Sequence, residues 1–141
     1  MLLAHLAATL LWSGVVWFVQ VVHYPLFEKV GAEKFALYSK SHSRLTGYVV
    51  GPPMLAEAGT ALLLLVLRRP EGVPLAATFV GLILVALIWA STALLQVPRH
   101  TTLGSGLDEG DHKGLVLSNW VRTAAPAHGG LVLWMAARAI G

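Results

Sequence analysis

Six histidines, a glutamate inside one apolar run and an arginine inside another are the side chains of this chain best suited to chemistry. His23, His42 and His100 each lie near the end of an apolar stretch, and Glu57 lies within one. Imidazole together with carboxylate suits iron, copper or zinc. His23, His42, His100 and Glu57 are therefore a candidate metal set, with iron or copper as the cofactor. Haem is a lesser option, since His5 and His23 are five helical turns apart and share a face. No Glu-x-x-His occurs on any apolar run, so the usual two-metal carboxylate pattern is absent.

The same groups can carry protons instead. A carboxylate within an apolar span is protonated unless it is paired. Glu57 is then either the partner of Arg122 or of a metal, or a proton donor and acceptor near neutral pH. Glu57, His100 and Arg122 are the candidate catalytic residues on this reading. Gln20, Tyr24, Gln96, Arg99, Asn119 and Trp120 supply hydrogen-bonding groups at neighbouring positions, and are expected to hold a substrate. The bland alternative is a network that locks helices together through interhelical hydrogen bonds. The chain has no cysteine, which excludes disulfides, thiolate metal sites and thiol catalysis.

These residues sit on long apolar elements. Hydrophobic residues make up 56% of the chain and charged residues 12%, where a soluble domain has about 25% charged. A helix needs roughly 20 apolar residues to cross a bilayer. Four such spans are expected, at 2–25, 46–68, 74–98 and 115–140, forming a single domain. The fold class is all-α: an integral membrane four-helix bundle. A short interfacial helix is expected at 28–44, between spans one and two, because Phe35, Tyr38, His42 and Leu45 recur at steps of three and four. Pro52 and Pro53 are expected to kink span two. The Gly-rich segment 103–111 and His112 read as a solvated loop. The first span reads as a retained helix, and no internal repeat is evident. The net charge of +3 comes with no basic face of interleaved aromatics, so nucleic acid is not expected as a partner.

Polar residues in membrane spans are costly and turn toward the bundle interior. Most of them lie toward one side, here called side B. Side B also holds Lys29, Lys34, Lys40, Arg44, Arg99, Lys113 and Arg122, against Arg68, Arg69 and Arg138 on the other, side A. The positive-inside rule puts side B and its long connections in the cytoplasm, of a bacterial inner membrane. Packing four helices is expected to bring Gln20, His23, Glu57, Gln96, His100, Asn119 and Arg122 into one pocket open to side B, capped by His42. His5 is the exception, at the far end of span one.

The runs Trp12-Ser13-Gly14, His23-Tyr24-Pro25-Leu26-Phe27, Gln96-Val97-Pro98-Arg99-His100 and Asn119-Trp120-Val121-Arg122-Thr123 resemble small bacterial four-helix membrane families. The arrangement is most similar to the anthrone-oxygenase-like family. The opening His5-x6-Trp12-x-Gly14 has a lesser resemblance to the membrane protoporphyrinogen oxidase family, whose C-terminal Arg-x-x-Asn-Glu-x-Pro element is missing here. The resemblance implies an oxidoreductase or oxygenase-like protein acting on a lipophilic aromatic or quinone-like substrate. The alternatives are a non-catalytic metal-, haem- or lipid-headgroup-binding protein, or a structural subunit. For the last, the small-residue stretches 59–61 and 124–130 offer faces for a partner or for a homo-oligomer.

Overall fold

The computed structural model describes residues 1–67, 69–123 and 126–140, apart from the side chains of residues 126 and 127. Arg68 and the start of the 124–130 stretch lie outside the described residues. The described chain is all-helical, a four-helix arrangement without strands. Helix α1 is Leu2–Phe27, α2 is Ala32–Val66 and α3 is Leu75–Leu103; all three are long and apolar enough to cross a membrane. The fourth arm consists of α4, Glu109–Thr123, and α5, Pro126–Ile140. α1 packs against α2, α4 and α5, and α3 packs against α2, α4 and α5.

Polarity is inverted relative to a water-soluble bundle. Leu3, Leu11, Phe18, Val21, Leu37, Tyr48, Leu55, Leu94 and Leu117 are all exposed. His5, Thr9, Gln20, Ser39, Glu57, Gln96, Asn119, Arg122 and His128 are all buried. An apolar outside and a polar inside suit a hydrocarbon surrounding, where polar groups must find their partners within the protein.

Two expectations about the elements need correction. The segment at 28–44 does not form a separate interfacial helix. From Ala32 it is the beginning of α2, which runs unbroken for 35 residues through Pro52 and Pro53. At 1.5 Å per residue α2 is about 52 Å long, well beyond the ~30 Å of a bilayer core. Its charged first half therefore extends the bundle toward side B. Next, the segment around His112 is not a solvated loop. Helix α4 starts at Glu109 and buries His112. Finally, a local pattern recurs in α1 and α3, though no repeat is evident in the sequence.

That pattern comes from prolines. α1 and α3 each begin with 17 residues of α-helix, followed by a 5-residue π-helical turn, at Val19–His23 and Thr92–Gln96. Each turn is followed by one residue and a proline, Pro25 or Pro98. A proline inside a helix lacks the N–H for the i−4 carbonyl and its ring clashes with it. One extra residue in the turn relieves the clash, and the bond closes over five residues: Tyr24 N–H to Val19 O and Val97 N–H to Thr92 O. Pro53 follows Pro25 at the same interval at which Pro126 follows Pro98.

Candidate functional site

The π-turns rotate the helix faces beyond them, and both turns border one cavity at the side B end. It measures about 510 Å³. α1 contributes Val15, Val16, Val19 and Tyr24; α2 contributes Lys40, His42, Ser43, Thr46 and Val50. α3 contributes Thr92, Gln96 and His100, and α4 contributes Asn119 and Arg122. The size falls in the range of cavities for drug-sized ligands. Valines line its inner part and polar groups cluster around α3, α4 and the first half of α2.

Each polar group is held by a neighbour. The Tyr24 hydroxyl lies 3.2 Å from His100 Nε2, with Ser43 Oγ 3.5 Å from Nδ1 of the same ring. The Ser91 hydroxyl donates to Gln96 Oε1 at 3.2 Å. Asn119 Nδ2 donates to Gln20 Oε1 at 2.7 Å, and Gln20 Nε2 donates to the Val116 carbonyl at 3.3 Å. Gln20 thus supports Asn119 from behind and ties α1 to α4. His112, which the loop reading missed, does similar work. Its Nε2–H donates to the Tyr24 carbonyl at 3.0 Å, its ring stacks on Phe27, and Nδ1 faces Glu28 at 3.4 Å. An Asp/His-rich segment followed by helical spacing was the signal available for it.

Arg122 is different. It is 8% exposed, and its guanidinium carbon sits 4.7 Å from the centre of the Trp12 ring. Among the described residues no carboxylate pairs with it, and its Nε has no hydrogen-bond partner. The cation–π contact contributes roughly 0.5–2 kcal/mol, less than the several kcal/mol that desolvating a guanidinium costs. The cavity wall therefore carries a positive charge without a matching anion.

The expected single pocket divides in two. Tyr24, His42, Gln96, His100, Asn119 and Arg122 come together, with Gln20 behind them. Glu57 does not. It lies 15 residues beyond His42 on the unbroken α2, which is about 22 Å along the axis. There it faces His128, with Oε1 3.4 Å from Nε2. Trp120 is 48% exposed and packs edge-on against Trp17 at 6.1 Å on the outer surface. Arg99 lies over Gly114, bonding to the Leu95 carbonyl and to Ser118, outside the cavity lining. Neither Trp120 nor Arg99 is placed to hold a cavity ligand.

The candidate metal set does not fit either. His23 Nε2 and His42 Nδ1 face each other at 2.8 Å with rings stacked at 27°, so these two nitrogens are turned toward each other. Tyr38 and Thr46 hydroxyls complete that chain at 3.2 and 3.1 Å. Among the described residues no three histidines and carboxylates group as metal ligands. His5 bonds to Thr60 and not to any group shared with His23. A second, mostly apolar groove of about 550 Å³, lined by Gly14, Phe18, His23, Leu45 and Val49, borders the cavity and shares Val15, Val19, His42 and Thr46 with it.

No protein-family model, curated protein or solved structure matches this chain.

Proposed function

We propose that this chain is an integral membrane protein that binds a lipophilic aromatic or quinone-like molecule by its oxygen head in the side B cavity. We further propose that it acts on that molecule as an oxidoreductase of the anthrone-oxygenase-like kind. One observation carries the reading: buried Arg122, without an acidic partner among the described residues, at the wall of a cavity with valine sides. A guanidinium in that position is satisfied by a ligand bringing a phenolate, enolate, carboxylate or carbonyl oxygen. Asn119 stands beside it to fix the orientation, held by Gln20. The Trp12 ring, 4.7 Å from the guanidinium carbon, supports Arg122 from beneath.

Acid–base chemistry falls to His100 and Tyr24, hydrogen-bonded to each other and both lining the cavity. Interconversion of a quinone and a hydroquinone moves two protons with two electrons. His100 is the group able to take or give a proton at the ligand oxygen, and Tyr24 holds its ring in place. The electrons come from a separate donor or go to a separate acceptor. The proton transfers proposed here use His100 and Tyr24. The apolar groove that borders the cavity offers a route from the lipid. Positive charge on side B supports placing that end in the cytoplasm of a bacterial cell.

The test is binding followed by turnover. The purified protein in detergent is titrated with a hydroxynaphthoquinone and with its methyl ether, reading tryptophan fluorescence. Saturable binding that favours the ionisable compound supports the anion site; equal or no binding of both sinks it. Turnover is then sought with chemical reductants and dioxygen. Binding without any turnover removes the oxidoreductase reading and leaves a headgroup-binding membrane protein.

A further inference from the structure

Glu57 and His128 remain outside the cavity, and their surroundings point to a second site. Glu57 is 0% exposed and His128 1%. Glu57 Oε1 is 3.4 Å from His128 Nε2, yet among the described residues neither carboxylate oxygen and neither ring nitrogen has a hydrogen-bond partner. His5, from α1, meets His128 edge-on with ring centres 5.6 Å apart. Thr60 lies one turn along α2, and Thr78, from α3, faces the same space as His5. Two imidazoles and a carboxylate therefore meet inside an apolar-surfaced bundle, from three different helices.

The hydrogen-bond pattern fixes one tautomer. The single Thr60 hydroxyl proton is directed at the carbonyls of Ala56 and Glu57, at 2.6 and 3.1 Å. Thr60 Oγ1 can then only accept from His5 Nδ1, 2.9 Å away. Neutral His5 consequently carries its proton on Nδ1 and keeps a lone pair on Nε2. At 3.4 Å Glu57 and His128 are placed to share one proton, as a carboxylic acid beside neutral imidazole or a carboxylate beside imidazolium. Both forms are neutral overall. Adding or removing a proton leaves a lone charge in a low-dielectric interior, which is strongly disfavoured.

Above this cluster α1 carries a stripe of buried polar atoms with no partner. Among the described residues Thr9 Oγ1, Trp12 Nε1 and Ser13 Oγ have no hydrogen-bond partner. Thr9 packs toward Gly129, next to His128 in sequence. Trp12, about 10 Å along the axis from His5, lies under Arg122 at the cavity wall. Buried hydroxyls without partners are rare in native proteins, and their usual explanation is function or bridging water.

We infer that His5, Glu57 and His128 form an intramembrane proton-binding site, connected toward the side B cavity along the Thr9 and Ser13 hydroxyls. The ligand of this site is a proton, shared between Glu57 and His128, with His5 Nε2 as the next acceptor. The site gives any proton-coupled reaction in the cavity a relay within the bundle, on the side A half, where one proton leaves only as another enters. It stands apart from the cavity ligand, so each can fail alone.

Infrared difference spectroscopy tests it on the full chain in lipid vesicles, with no other ligand added. The wild type at neutral pH is expected to show a protonated-carboxyl band. Glu57→Gln removes that band, and His128→Gln shifts its frequency. A band that survives Glu57→Gln, or the absence of any protonated-carboxyl band in the wild type, overturns the site. An unshifted frequency in His128→Gln overturns the sharing, and that variant decides the matter if Glu57→Gln fails to assemble. For the connection, Thr9→Val with Ser13→Ala is expected to slow hydrogen–deuterium exchange of the Glu57 carboxyl severalfold while leaving its band frequency in place. An unchanged exchange rate overturns the path.

Discussion

Replacing Arg122 by Met separates what the guanidinium does for a ligand from what it does for the fold. Met has a similar length and no charge, so it fills the space over Trp12. In the ligand-free protein Arg122 is 8% exposed and has no carboxylate partner among the described residues. It loses hydration and regains only the cation–π contact, roughly 0.5–2 kcal/mol. Met keeps the apolar contact with Trp12 and avoids the desolvation cost. Ligand-free stability is therefore expected to stay level or to rise by about 1 kcal/mol, as often happens when a functional charge is removed. Affinity is expected to fall. A charge-assisted hydrogen bond contributes about 1.5–3 kcal/mol, which is on the order of 10- to 150-fold in Kd. The assay is the fluorescence titration with the hydroxynaphthoquinone and its methyl ether, together with a thermal unfolding curve of the free protein. The loss should be confined to the ionisable compound. Arg122→Met that binds both compounds as the wild type does, or that unfolds well below it, would refute the claim that Arg122 waits for an anion.

Other consequences of the geometry are open to measurement. Exhaustive chelation is expected to leave quinone binding unchanged, because Arg122 and Asn119 carry it; loss of binding restored by added iron or copper would overturn that. Asn119→Leu strands Gln20, and is expected to lower stability by about 1–2 kcal/mol in a denaturation series; Gln20→Leu added to it should recover part of the loss, and strict additivity would contradict the pairing. Gly72→Ala forces a side chain onto a residue at φ +78°, with the Arg138 carbonyl oxygen 2.7 Å from the new carbon. Its cost in melting should exceed that of Gly114→Ala, whose new carbon meets only the movable Arg99 side chain at 2.6 Å. Pro98→Ala removes the cause of the second π-turn; α3 is expected to relax to regular helix, turning Gln96 and His100, so that quinone affinity falls while thermal stability does not.

The three long helices were legible because a run of twenty apolar residues has few other uses. Also legible was the convergence of His42, His100, Gln96, Asn119 and Arg122, since their spacings of three and four residues set one face on each helix. Glu57 was misplaced for a reason of length. Treating 28–44 as a separate interfacial helix let Glu57 approach His42; on one continuous α2 the same two residues are about 22 Å apart. Trp120 and Arg99 were misassigned by rotation about the helix axis. Trp120 follows Asn119 directly, and neighbours on a helix point about 100° apart, so one lines the cavity and the other faces outward. The π-turns were not legible, although Pro25 and Pro98 cause them, because a proline can equally well end a helix. The Glu57–His128 pairing joins residues remote in sequence, and no local spacing announces it.

The paired π-turns have one more consequence. Val19 and Thr92 occupy the same place counted from the start of their helices, as do Tyr24 and Val97, and all four line the cavity. Thr46 and Asn119, each seven residues before a proline, line it too. The cavity is thus framed by two halves that share a local backbone pattern and differ in their side chains. Where the half from α1 and α2 offers Tyr24 and Thr46, the half from α3 and α4 offers Val97 and Asn119; His42 belongs to the first half, His100 and Arg122 to the second. A frame of near-equal halves with unequal chemistry would accept a planar ligand in two orientations by shape and select one by charge.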